Sequence, residues 1–316
     1  MNTRTRLAGW VTILLCLTAC QRAEEDPGAA TEPQAADARI TVYAVNYPLA
    51  WMAERIGGDS VDVSLPVPDG VDPAHWQPSP ETVLDYQRAD LVLLNGAGYA
   101  GWIQFASLSP GRLVDTTGGL AERFVPAGEV THSHGPGGEH DHADVASHTW
   151  LDPGLAAEQA RAIAEAFGRL APTHEGEFQQ RLQSVRADLA QLDQRFAAAF
   201  RDQPDVGVLY SHPVYQYLDA RYGLEGRSVT WEPFEDPGEA QWNKLADSLN
   251  EQPASVMLWE AEPLSSTAER LRRMGIEPVV FDTGAAPPAA GDYLTLMDQN
   301  LERLDRLEPA DGETDN

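Results

Sequence analysis

The sequence predicts an α/β protein of two lobes, each a roughly four-stranded parallel sheet with flanking helices, joined by a long rigid spine helix. Two observations carry that prediction. Short apolar runs alternate with helical stretches on both sides of the middle of the chain, as parallel βα units require. Between them, Ser147 to Arg201 reads as nearly continuous helix, broken only at Pro172-Thr173. Asp152 suits its N-cap and Pro153 its first turn, where a missing N–H costs nothing. Ile163, Phe167 and Leu170 mark a first apolar stripe. Phe178, Leu182, Val185, Leu189, Leu192, Phe196 and Phe200 mark a second, in steps of three or four. At about 1.5 Å per residue that second stripe runs roughly 33 Å, the width of a small domain.

The elements follow in order. Arg4 and Arg6 precede an apolar run from Leu7 to Ala19, too short to span a membrane, so residues 1–19 read as a signal peptide. The run ends Leu17-Thr18-Ala19-Cys20, which resembles the bacterial lipobox and implies a lipid on Cys20. Residues 20–38, rich in Ala, Pro and Glu without periodicity, read as a flexible tether. Residues 39–152 form the first lobe, with strands expected at 40–45, 61–67, 90–95 and 113–115. Its helices are expected at 48–56, from Ser79-Pro80 onward, and near 99–106. Residues 153–203 are the linking helices. Residues 204–308 form the second lobe, with strands at 206–210, 228–231, 255–259 and 278–281, and helices at 213–222, 239–250, 265–274 and 292–307. A disordered tail, 309–316, closes the chain.

Composition bounds the function. The 49 acidic residues against 22 basic ones give a formal charge of −27, which argues against nucleic acid or an anionic lipid surface as partner. Removing the signal peptide takes away two arginines and no acid, and leaves Cys20 as the mature chain's only cysteine, so no internal disulfide can form. Residues 118–147 hold no convincing element. Loops of that length are usually functional or disordered. This one carries His132, His134, His140 and His142, half of the eight histidines, as expected of a weak and reversible auxiliary metal loop. His174 reads as exposed and structural.

Ligands of open parallel sheets bind beyond the C-terminal ends of the strands. His75 follows the second strand, His148 stands between the fourth strand and the spine, His212 follows the strand ending at Tyr210, and Asp282 ends the last strand. Three imidazoles and a carboxylate, two from each lobe, make a tetrahedral set suited to zinc. Taken one at a time, each has a duller reading as polar surface or, for Asp282, as the cap of a turn with Thr283-Gly284. No phosphate-binding glycine loop and no H-E-x-x-H occur, and Gly96 and Gly98 lack the third glycine of a dinucleotide fingerprint. A zinc hydrolase would need a general base that no motif places, Glu232 and Glu260 being the nearest.

Together the motifs resemble the metal-specific solute-binding proteins of ABC transporters, the zinc and manganese group called cluster A-I. The resemblance rests on the lipobox, Gly70-Val71-Asp72-Pro73, His148-Thr149-Trp150-Leu151-Asp152-Pro153, and Ser211-His212-Pro213-Val214-Tyr215-Gln216-Tyr217-Leu218. Trp231-Glu232-Pro233, Phe281-Asp282 and the run from Tyr293 to Asn300 complete it. It covers about residues 40–307 and implies two lobes joined by a rigid helix with one metal between them. It also implies a monomeric, lipid-anchored receptor, not an enzyme, at the periplasmic or extracellular face, delivering its ion to an ABC permease. His148, His212 and Asp282 fall on the family's second, third and fourth ligand positions. The first departs: Ala74 stands where the family has histidine after Asp-Pro, with His75 next, so the fourth ligand is His75 or, if Ala74 faces the cleft, a loop histidine such as His134 or His142, or water. Asp282 is also followed by Thr283-Gly284 where the family usually has Pro-Leu-Gly. Histidine rather than glutamate at the third position favours Zn2+ over Mn2+. The alternatives are a receptor for Mn2+ or another metal or chelate, and a permease-independent zinc store or chaperone.

Overall fold

The computed structural model describes residues 39–127, 145–201 and 207–305. Cys20, the tether, the four loop histidines and the tail lie outside the described residues. Two four-stranded, all-parallel sheets are present, with strand orders β2-β1-β3-β4 and β6-β5-β7-β8. The first comprises β1 (Ile40–Ala44), β2 (Val61–Ser64), β3 (Leu91–Leu94) and β4 (Leu113–Asp115). The second comprises β5 (Val208–Tyr210), β6 (Arg227–Ser228), β7 (Val256–Trp259) and β8 (Glu277–Val280). The repeated strand–helix pattern is therefore a repeated topology. In each sheet the strand order reverses between the first and third strands, and a crevice opens beyond their ends.

Helices α1 (Tyr47–Gly57), α2 (Pro80–Arg88), α3 (Pro153–Leu170) and α4 (Glu175–Arg201) serve the first lobe and the link. Their starts follow from the sequence. Asn46 and Ser79 cap α1 and α2, each followed by proline in the first turn, and Asp152 Oδ1 accepts from the Gly154 and Leu155 amides to cap α3. The second lobe adds α5 (Gln216–Tyr222), α6 (Glu239–Glu251), α7 (Ser265–Arg273) and α8 (Tyr293–Asp305).

Three expectations change. The helix near 99–106 is only a short 3-10 turn, Gly101–Phe105, because the chain before it takes positive φ at Gly96, Ala97, Gly98 and Ala100 and cannot start an α-helix. The strands at 61–67 and 228–231 shrink to four and two residues. His174 is half-buried against Phe178, with ring centroids 6.2 Å apart, rather than exposed.

The spine is α4. After the 3-10 turn Pro172–His174 it returns along α3, Phe167 against Phe178. Phe178, Leu182, Val185, Leu189, Leu192 and Phe196 are all buried, while Phe200 is half-buried. Its N-terminal half ties to the first lobe, where Arg181 donates to the Gly57 carbonyl and Asp188 pairs with Arg55. Its C-terminal half ties to the second, where Asp193 holds Arg221 and Tyr222 and Arg195 meets Asp298. One continuous apolar core runs from β1 through α3 and α4 to Phe281 and α8, and a smaller one of tryptophan and aliphatic residues lies under α6 and α7. A core shared between lobes resists wide hinge opening.

Candidate metal centre

The two crevices are filled differently. In the first lobe, Asn46 stands two residues beyond β1 and Asn95 one residue beyond β3, and their side chains hydrogen-bond each other. Asn95 Oδ1 also accepts from Thr149 Oγ1 and Gln159 Nε2, while its Nδ2 donates to the Ser147 carbonyl at 2.8 Å. Gln159 Nε2 reaches Thr116 Oγ1 as well, and Thr117 Oγ1 donates to the Asn95 carbonyl. This buried network grips the residues on either side of His148. Gly96 is obligatory here, since a Cβ would stand 1.9 Å from Thr117 Oγ1.

His148 itself is 6% exposed, its ring lying against Trp150 and edge-on to Tyr99. Burial pushes its pKa down to about 4, with Asp72 pulling it up and His75 and His212 pushing it further down. A neutral imidazole is the form that binds metal.

The corresponding second-lobe positions carry His212, two residues beyond β5, and Glu260, one residue beyond β7. His212 Nδ1 lies 3.0 Å from the Trp231 carbonyl, which can only accept, so Nδ1 donates there and Nε2 is the nitrogen turned toward the Glu232 carboxylate. Glu232 Oε1 is 3.3 Å from Nε2, and Glu260 Oε1 is 3.8 Å from Nδ1. Burial pushes Glu260 up to about 8, helped by the charges of Asp72, Glu232 and Asp282.

Asp282 lies two residues beyond β8. Burial raises its pKa, against the Gly284 amide and Arg303. Its Oδ1 accepts from the Gly284 amide, as the capped-turn reading predicts, and Oδ2 is the oxygen left for a cation. Asn300 clamps its backbone from both sides, accepting from the Asp282 amide and donating to its carbonyl. The next residues cross to the first lobe: Trp150 Nε1 donates to the Thr283 carbonyl at 2.7 Å, and the Tyr47 amide to the Ala285 carbonyl. His148 and Asp282 are thus held in a fixed relation.

His75 is the outlier. It stands in the long loop after the edge strand β2, its side chain 70% exposed and its Nε2 3.8 Å from Asp72 Oδ2. Ala74, the preceding residue, packs against the core. Among the described residues, no three histidine, cysteine, aspartate or glutamate side chains converge to hold an ion as they stand. His148 nevertheless feels the charges of Asp72, His75 and His212, and Glu260 those of Asp72, Glu232 and Asp282. Mutually repelling carboxylates need a cation before they close together.

Asn46, Asn95 and Gln159 were not singled out by the sequence as site residues. Polar residues ending an apolar strand or lying on a helix's buried stripe are their only signal. The root of the histidine loop is fixed by the bridge between Pro126 and Val145 and by Gln216 Nε2 on the Ala127 carbonyl.

Residues 42–307 match the family model described as zinc-uptake complex component A, periplasmic. The chain is 22% identical over 298 residues to the zinc-binding lipoprotein AdcA of Streptococcus pneumoniae, covering 90% of this chain and 59% of that protein. It is 25% identical over 276 residues to the high-affinity zinc uptake system protein ZnuA of Bacillus subtilis, covering 84% and 86%. Its fold is that of the Zn(II)-bound ZnuA-like domain of S. pneumoniae AdcA, with a TM-score of 0.70 at 19% identity over 84% of this chain and 97% of that one. FpvC of Pseudomonas aeruginosa in complex with Mn2+ gives 0.68 at 22%, over 84% and 97%. A match over more than half of its length places the chain in the family of periplasmic zinc-uptake component A proteins.

Proposed function

We propose that this protein is the extracytoplasmic binding component of an ABC importer, capturing Zn2+ between its lobes and passing it to a permease. It is a receptor and not an enzyme. His148, His212 and Asp282 hold the ion, and His75, at the rim of the first lobe, is the fourth candidate. The observation that carries the reading is that His212 and Asp282 stand just beyond β5 and β8 and His148 at the turn leading into α3, in a chain of this family, with Trp150 bonded to Thr283 beside them. The ion supplies the charge that lets the carboxylates approach, so binding closes the cleft by small side-chain shifts.

Relatives named as lipoproteins support acylation of Cys20 and a membrane tether, and the protein acts as a monomer. The loop histidines His132, His134, His140 and His142 add weak zinc sites beside the tight one. Four carboxylates in the cleft also favour a harder cation, which makes Mn2+ the second reading. Elemental analysis of protein purified without added metal, followed by zinc–manganese competition, separates the two. Stoichiometric zinc retained against excess manganese is expected. Protein that prefers manganese, or binds neither, contradicts the reading.

A further inference from the structure

The first-lobe ligand position is empty of a donor: Ala74 occupies it, and His75 points its imidazole at Asp72 from the rim. Four-coordinate zinc still needs a fourth group. Glu232 is placed to supply it. Its backbone runs beside the exit of β5, where the Trp231 amide donates to the Ser211 carbonyl at 2.9 Å. Trp231 is itself 3% exposed and packs on Trp242 at 4.6 Å, so this segment has an anchored origin. The Trp231 carbonyl takes His212 Nδ1–H, which turns Nε2 toward the neighbouring residue's carboxylate. Glu232 Oε1 meets that nitrogen at 3.3 Å.

That distance has a meaning for zinc. With Zn–N and Zn–O bonds of about 2.0–2.1 Å and tetrahedral angles, two ligand atoms of one ion lie ~3.3 Å apart. His212 Nε2 and Glu232 Oε1 already span such an edge. The first lobe brings a second feature, beside His148. The Tyr99 hydroxyl is buried without a hydrogen-bond partner among the described residues and feels the charges of Asp72 and Glu260. A buried hydroxyl in that state is satisfied when a carboxylate or an ion's water moves toward it.

We infer that Glu232, rather than His75, is the fourth ligand of the ion held by His148, His212 and Asp282. The inference rests on the proposed reading of that site. Because the Glu232 side chain is 44% exposed, it closes the shell from the cleft mouth and is the ligand able to leave first when the ion is handed on.

The test uses the metal-stripped full chain titrated with zinc against a chromophoric chelator, and with cobalt(II), whose visible absorption reports coordination number. Glu232→Ala and Glu232→Gln are expected to lose more than about a hundredfold in zinc affinity and to alter the cobalt spectrum, while His75→Ala stays within about threefold. Unfolding curves of the metal-free variants should match the parent, since the side chain is at the surface. If both Glu232 variants keep parental affinity and spectrum while His212→Ala loses binding, the assignment of Glu232 is overturned and the site stands. If His212→Ala also binds as the parent does, the site itself is wrong and Glu232 falls with it.

Discussion

The crevices of the two lobes share one topology and are used in opposite ways. Asn46 and His212 occupy equivalent positions two residues beyond β1 and β5, and Asn95 and Glu260 stand one residue beyond β3 and β7. In the first lobe the pair is neutral, buried and bonded to itself, and its work is to grip the backbone beside His148. In the second the pair is an imidazole and a carboxylate, mostly buried, with Glu260 Oε1 3.8 Å from His212 Nδ1. A neutral amide pair can satisfy its hydrogen bonds internally and become scaffold. A histidine ringed by carboxylates leaves an excess of negative charge that a cation can offset. One crevice is thus a rigid support and the other a reactive surface.

Breaking the support should have the largest effect. Asn95→Ala leaves the Ser147 carbonyl and the donors of Asn46 and Thr149 without their partner, and about 3 kcal/mol of stability should be lost in denaturant unfolding, with a fall in zinc affinity. An unchanged midpoint would mean that the network is not the support. On the reactive side, Glu260 is the group to titrate in metal-free protein. Its folded-state pKa of about 8 exceeds the ordinary value of 4.5, so the native state binds the extra proton between them, and stability present at low pH is lost as pH rises through that window. The loss should be on the order of a few kcal/mol, and Glu260→Gln should flatten the profile. Trp150→Phe removes the donor to the Thr283 carbonyl and leaves a cavity where the fully buried indole packed on Tyr99 and His148. About 2 kcal/mol is expected, together with weaker zinc binding as the Asp282 turn loosens. His75→Ala should cost less than about 0.5 kcal/mol, because most of its imidazole is already in water.

What could be read from the sequence follows the same division. The strands, their exits and the cap residues Asp152 and Ser79 are local signals; His212 and Asp282 follow from the ends of apolar runs, and His148 from its place ahead of the spine and its motif. The proximity of Glu232 and Glu260 to His212 depends on which strands become neighbours, and β5, β6 and β7 are separated by intervening helices and loops. The sequence marks Glu232 as part of Trp231-Glu232-Pro233 and, with Glu260, as a guess at a general base, but nothing local marks it as a metal ligand. The support network was hidden for a related reason: Asn95 and Gln159 are 64 residues apart and meet only once α3 packs on the first sheet. The missing α-helix at 99–106 shows the converse, a helical composition overruled by four positive-φ residues just upstream.

The central claim is that both lobes share a single ion. Zinc affinity of the metal-stripped chain, measured by chelator competition for the parent, His148→Ala and His212→Ala, tests it most directly, because each variant removes a ligand from one lobe only. One tight zinc per parent chain is expected, with each substitution weakening that same site by more than about a hundredfold. Parental affinity in either variant would contradict an ion held between the lobes.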